Sequence, residues 1–217
     1  MPVHSLAGCR FKIAPVPMKK IIVIPFISIA FASAVHGSPL AITAGGATTV
    51  QTRSPAMTIE SAFSPDDGAE ALVLKVINRS VSKIRLAAYS FNSPHVVEAL
   101  VNAKRRGVDV KVIVDDRRNK RKNSIAALNL LVNADIPTRT ISVYAMHHDK
   151  YIVSDDLSVQ NGSFNYSKDA ATSNSENVVV VWNNPELAKA FLGHWENRWS
   201  KGIDYKYSDD KGDAGSR

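Results

Sequence analysis

The sequence predicts an α/β protein in which one mixed β-sheet is covered by helices on both faces. Three observations point there. Helical and strand-like segments largely alternate, a few strands follow one another directly, and the length remaining after a leader suits a single core. The chain has 217 residues, 45% apolar and 22% charged. That balance belongs to a globular protein and excludes a disordered, collagen-like or multi-pass membrane chain. Cys9 is the single cysteine, so a disulfide scaffold is excluded as well.

Met18-Lys19-Lys20 precedes an apolar stretch, residues 21–34, that closes on Ala32-Ser33-Ala34. A positive start, a short apolar run and a small-x-small end are the three regions of a secretory signal. The run is 14 residues, whereas a bilayer-spanning helix needs about 20. Residues 1–34 are therefore expected to be a leader, started at Met1 or Met18, that sends the protein to the periplasm or outside the cell. An uncleaved leader would be its one route to a membrane. Cleavage after Ala34 would remove Cys9 together with Arg10, Lys12, Lys19 and Lys20, reducing the net charge from +7 to +3. Much of the apparent basicity thus belongs to export. Residues 35–56, rich in Gly, Thr, Ala and Ser, read as a flexible linker.

The folded domain is expected over residues 57–203, with a polar tail over 204–217. Ser64-Pro65 reads as a cap and first-turn pair opening a helix to about Asn78. Lys83 to Tyr89 is strand-like. Ser93-Pro94 opens a second helix with an apolar face of Val96, Val97, Leu100 and Ala103, stopped by Gly107. Val108 to Val114 is a strand, Ser124 to Ala134 a helix, and Thr138 to Tyr144 a strand. Tyr151–Ser154 and Ser158–Asn161 read as strands joined at Asp155-Asp156. Asn177 to Trp182 is the most strand-like run, and Pro185 to Trp199 closes with a helix burying Leu187, Phe191, Leu192 and Trp195.

The chemistry gathers in His148-Asp149-Lys150 and the residues that follow. If His148 begins a strand, period-two alternation places His148 and Lys150 on one face. An imidazole lone pair and an ammonium side by side suit attack on a phosphodiester, one group bonding to phosphorus and the other neutralising its oxygens. Gly162-Ser163-Phe164-Asn165 follows the next strand; its glycine permits close backbone approach, while Ser163 and Asn165 can donate to phosphate oxygens. Glu176 precedes the apolar strand and could bond the second nitrogen of His148.

His148-x-Lys150 with Asp155, then Gly162-Ser163-x-Asn165, then Ser175-Glu176-Asn177, resembles the phospholipase D superfamily, and within it the small single-motif bacterial endonucleases of the Nuc type. The resemblance spans about residues 57 to 200 by element order. It implies a phospholipase D/nuclease-like α-β-α sandwich and a phosphodiesterase that needs no metal or other cofactor and works through a covalent phosphohistidine. With one motif per chain, it implies a homodimer whose twofold axis passes through the active site. His148 would be nucleophile in one subunit, and its copy would protonate the leaving oxygen. Lys150 and Asn165 would hold the phosphate with help from Ser163, and Glu176 would orient His148. Asp155, placed with these by the motif, reads as structural rather than reactive.

A metal cluster from His147, His148, Asp149, Asp155 and Asp156 is the competing chemistry. Adjacent strand residues diverge, and Lys150 would repel a cation, so no metal site is expected. Arg117, Arg118, Lys120, Arg121 and Lys122 form a basic loop after a strand, expected to line a nucleic-acid-binding rim. Asp115-Asp116 before it reads as a local ion-pairing partner. His95 and His194 read as packing or surface histidines, and Trp182, Trp195 and Trp199 as core or interface. The expected function is a nonspecific endonuclease acting on DNA, with RNA left open as an alternative substrate. Two rivals remain: a phospholipase D using the same chemistry, and an inactive nucleic-acid-binding member of the fold.

Overall fold

The computed structural model describes residues 56–208. The expected leader, almost all of the linker, and residues 209–217 lie outside the described residues. Thirteen elements follow in order: β1 (Thr58–Ser64), α1 (Ala69–Arg79), β2 (Lys83–Ala88), α2 (Pro94–Arg105), β3 (Asp109–Asp115), α3 (Lys122–Asn133), β4 (Thr138–Ile141), β5 (Lys150–Ser154), β6 (Ser158–Gly162), α4 (Lys168–Thr172), β7 (Glu176–Trp182), α5 (Pro185–Trp199) and β8 (Ile203–Asp204). The strands form one sheet in the order β1-β7-β6-β5-β2-β3-β4-β8. β3 runs parallel to both of its neighbours, β2 and β4, and every other pairing is antiparallel.

Period-two alternation divides the sheet between two cores. On one face Ile84, Leu86, Val110, Val112, Ile152, Val178 and Val180 meet the buried sides of α1, α2 and α3. On the other, Ala87, Ile113, Tyr151, Val153 and Val159 meet α5 through Ala188 and Trp195. Helices therefore cover both faces, as expected. The Ser93 side chain accepts from Val96 N at the start of α2, and Asn184 accepts from Leu187 N at the start of α5, each with proline in the first turn. Trp195 is buried and donates its indole N–H to Leu86 O at 3.0 Å. Removing on the order of 200 Å² of indole surface from water contributes about 5 kcal/mol before entropy. Trp199 stacks on it at 4.7 Å, and Trp182 is buried too, so the tryptophans have the packing roles expected.

The structure differs from the sequence expectation at both ends of the domain and in α4, a short helix that the sequence reading does not include. β1 has no counterpart there, because its apolar pattern points away from the main core. Ala62 and Ser64 are buried, while Ile59 and Phe63 stand 63% and 51% exposed. Seven paired positions along β7 hold it in place. Ser64-Pro65 does not cap α1; it is a cis peptide in the turn after β1, and the helix starts at Ala69 behind Gly68, whose φ of 75° suits glycine. At the other end the chain stays attached beyond 203. Asp204 pairs with Arg139, Tyr205 N donates to Thr138 O, and Ser208 N donates to Asn129 Oδ1, so the expected tail begins with fixed residues.

Candidate active site

Parallel strands β2 and β3 end at Ala88 and Asp115, and antiparallel β5 starts beside them at Lys150, paired with Ala88. Side chains from several connections meet at this edge, where open α/β sheets commonly place ligands. His148 does not begin a strand: it lies two residues ahead of β5, in the link from β4. The link is anchored instead by Asp115, whose Oδ2 accepts from His147 N at 2.8 Å and whose Oδ1 accepts from Arg118 N at 2.7 Å.

His148 and Lys150 are nevertheless brought together. Lys150 Nζ donates to His148 O at 2.9 Å, and Tyr89, just past the end of β2, touches both side chains. The Tyr89 ring meets the His148 ring edge-on at 4.5 Å and lies 5.2 Å from Lys150 Nζ. His148 is exposed, while Lys150 is buried at 7% exposure. Burial pushes the Lys150 ammonium below the ordinary lysine range, and the charges of Glu176 and Asp149 work against that shift.

Gly162 closes β6 where the main chain touches β7. A Cβ there would lie 2.2 Å from Asn177 O, so glycine alone fits. Ser163 is committed to the protein: its hydroxyl donates to Glu176 Oε2 at 2.5 Å and accepts from Asn177 N at 3.0 Å. It holds Glu176 and has no proton left for a phosphate. Asn174 Nδ2 is the second donor to Glu176, at 3.0 Å. The expected Glu176–His148 bond is not among the hydrogen bonds of the described residues; Ser163 and Asn174 occupy this carboxylate. Asn165 Oδ1 is buried with no partner among the described residues.

Asp155 lies elsewhere. The five residues of β5 lie between it and Asp149, six steps or roughly 20 Å at ~3.3 Å per residue. Its carboxylate accepts from Val81 N, Ser82 N, Ser82 Oγ and Lys83 N at 2.8–3.2 Å. Burial opposes its charge, but the donations from Lys83, Ser82 and Val81 outweigh it and hold the carboxyl below its usual range. Asp155 belongs to the motif in sequence but not to the site in space: as its structural reading anticipates, it ties the start of β2 to the β5–β6 turn, at the far end of the sheet.

The basic loop borders the site through Tyr89. The Arg118 guanidinium lies 5.9 Å from the Tyr89 ring, and Arg117 Nη1 donates to Ala145 O at 3.1 Å. Arg118 and Arg121 line a cavity with Tyr89, Asp115 and Met146. Lys120 pairs with Asp116 at 3.0 Å, and Lys122 opens α3. Asp115, expected to pair with the arginines, takes backbone amides instead. Asn119, inside the basic run, is buried and joins three segments: it accepts from Phe91 N and donates to Tyr89 O and Asp115 O.

His147 is 2% exposed, and burial pushes its imidazole below the ordinary range despite Asp149 and Asp115. Its Nδ1 lies 3.3 Å from Asp149 Oδ2. His194 of α5 approaches the same oxygen with Nε2 at 3.0 Å, so it belongs to the site's surroundings rather than to a generic surface. Sequence reasoning does not single out Tyr89, Asp115, Asn119 or His194 as site residues. For Tyr89 and Asp115 the available signal is their place at the ends of predicted strands. Among the described residues no group of three or more His, Cys, Asp or Glu could hold a metal ion.

Comparison with known proteins gives the family and the fold. A family model described as cardiolipin synthase, PLD-like domain, matches residues 73–199. A phospholipase D of Rickettsia felis is 32% identical over 140 residues, 64% of this chain and 68% of that protein. A mitochondrial cardiolipin hydrolase of Mus musculus is 29% identical over 136 residues, 63% of this chain and 60% of that protein. Among solved structures, Nuc from Salmonella typhimurium, a phospholipase D family member, aligns with a TM-score of 0.69 and 48% identity, covering 70% of this chain and 99% of that one.

Proposed function

The chain belongs to the phospholipase D superfamily, and from that premise we propose that it is a metal-independent endonuclease cleaving DNA at a site shared by two copies of the chain. One observation carries the reading: an exposed imidazole, His148, and a buried ammonium, Lys150, flank a single aromatic ring at the open end of the sheet. His148 supplies the nucleophile. A ring nitrogen of one copy bonds to phosphorus as the P–O bond to the leaving alkoxide breaks. The imidazolium of the other copy gives that alkoxide its proton. Water then forms the new P–O bond, yields its proton to the second histidine, and the P–N bond breaks.

In this reading the Lys150 ammonium and the Asn165 amide hold the non-bridging oxygens. Glu176 keeps Lys150 charged, and Ser163 positions Glu176. The Arg117, Arg118, Lys120, Arg121 and Lys122 segment meets flanking phosphates. The signal-like residues 18–34 support a periplasmic or secreted location. A nuclease is favoured over a lipid hydrolase by the basic loop beside Tyr89 and by the 48% identity to Nuc. The relatives named phospholipase D and cardiolipin hydrolase favour phospholipid as the second substrate class.

Supercoiled plasmid and phosphatidylcholine vesicles, assayed side by side in excess EDTA, test the reading. Plasmid nicking should persist with chelator and vanish in His148→Ala without loss of the thermal transition. A strict requirement for added Mg²⁺ overturns the mechanism, and hydrolysis of vesicles alone overturns the substrate. Binding without nicking at any incubation time would identify an inactive nucleic-acid binder. The shared site requires a dimer in solution and a rate per protomer that falls on dilution below its dissociation constant.

A further inference from the structure

His148 and Lys150 also form one wall of a cavity of about 380 Å³ that the phosphate chemistry does not use. Its other walls come from α5 (Ala190, Phe191 and His194) and from the strand ends at Tyr151, Asn161 and Gly162. We propose that this cavity is a nucleobase subsite, receiving one of the two bases next to the scissile phosphate, with Phe191 as its stacking surface. The inference rests on the nuclease reading.

Four observations support it. The cavity is continuous with the two groups assigned to phosphate, so a base attached through its sugar reaches it without a separate entry. Phe191 is partly exposed and meets Tyr151 at 80° with centroids 5.0 Å apart, an edge contact rather than a parallel stack. A base has a π-face whatever its identity, so an aromatic wall suits an enzyme that ignores sequence. Polar edges complement the ring: Asn161 is exposed, and His194 projects beside Asp149.

The fourth observation is Tyr151. It lines the cavity at 3% exposure, yet its hydroxyl is buried with no hydrogen-bond partner among the described residues. Burial pushes that phenol far above its ordinary range, so it stays protonated and keeps a donor to offer. Such an orphan costs stability unless a partner arrives, and a base edge becomes that partner once the side chains covering the hydroxyl shift. The volume also selects the ligand. It lies near the low end of the ~300–1,000 Å³ typical of small-molecule sites, which suits one ring and its sugar better than a pair of acyl chains.

The experiment uses three diesters and two variants. The diesters are thymidylyl-thymidine and its two analogues with an abasic sugar on one side or the other. The variants are Phe191→Leu, which keeps apolar volume against Tyr151, and Phe191→Ala. For the wild-type protein, one abasic analogue should lose kcat/KM by about 5- to 150-fold, the range of base–aromatic stacking, while the other changes little. Phe191→Leu should lower kcat/KM for the full dinucleotide by a similar factor yet leave the sensitive abasic analogue unchanged, as a double-mutant cycle requires. Equal losses on all three diesters, or no loss on any, overturn the subsite while chelator-resistant plasmid nicking still supports the nuclease. Failure of the wild-type protein to cleave plasmid and all three diesters, with vesicles hydrolysed, overturns both.

Discussion

Replacing Asp155 separates a structural role from a chemical one, because the residue belongs to the same motif as His148 and Lys150 yet sits at the opposite end of β5. Its carboxylate serves four donors: Val81 N, Ser82 N, Ser82 Oγ and Lys83 N. At about 0.5–1.5 kcal/mol net per bond, and with part of that recovered from water at this half-exposed turn, Asp155→Ala should cost about 2–3 kcal/mol. The left-handed backbone at φ 55° adds about 1 kcal/mol once the side chain can no longer support it. The sum, about 3–4 kcal/mol, corresponds to a Tm fall of roughly 6–16 °C for a domain of this size. Asp155→Asn tolerates the backbone and keeps one acceptor oxygen, but turns an amide N–H toward Val81 N; about 1–2 kcal/mol is expected. The wild-type carboxyl titrates below its unfolded value, so its contribution is complete above about pH 4. It is lost as pH falls through the lower folded value, and the wild-type advantage over Asp155→Asn should shrink only on that acid side. Thermal melts across pH, paired with plasmid nicking at about 20 °C, well below the melting range typical of such domains, supply both readouts. A kcat within about twofold of wild type is expected while the protein stays folded. A tenfold loss with a native circular dichroism spectrum, about 1.4 kcal/mol of transition-state stabilisation, would refute the reasoning.

Three further outcomes follow from the site. Lys150 is held below the ordinary lysine range by burial, so nicking should decline on the alkaline side as the ammonium is lost, and Lys150→Arg should move that decline to higher pH while lowering the overall rate. Asn119→Ala removes bonds to Phe91 N, Tyr89 O and Asp115 O from a buried position; about 2–4 kcal/mol of stability should disappear in denaturant titration, and wild-type stability would show those bonds to be idle. Arg118→Gln with Arg121→Gln should flatten the slope of log K against log salt for duplex DNA by about 0.9 for each phosphate left unneutralised; an unchanged slope would remove the loop from the binding surface.

Strands and helices with a pronounced apolar period are legible in the sequence. β3, β7 and α2 stand within a residue or two of expectation because burial on one or both faces leaves a strong pattern. β1 is not legible, since its pairing depends on β7 and its larger side chains, Ile59 and Phe63, face away from the main core. The spacing of His148 and Lys150 predicts their proximity through strand alternation. The structure achieves it differently, with Tyr89 and a backfolded ammonium. Spacing likewise cannot reveal that Ser163 is spent on Glu176, because that depends on β6 and β7 meeting at Gly162 without a side chain between them. His194 lies beyond reach for the same reason: only the folded α5 delivers it to Asp149.

The pairing of the first strand with the seventh has a consequence for how the molecule is born. β1 finds its neighbour only after nearly the whole domain has been made, since Thr58 aligns with Trp182. Contacts so distant along the chain are slow to form. A polypeptide threaded through a pore from its amino end would meanwhile carry β1 without its ladder to β7 and with Ala62 and Ser64 not yet buried. Export as proposed above would therefore end in a late, single closing event when β7 emerges.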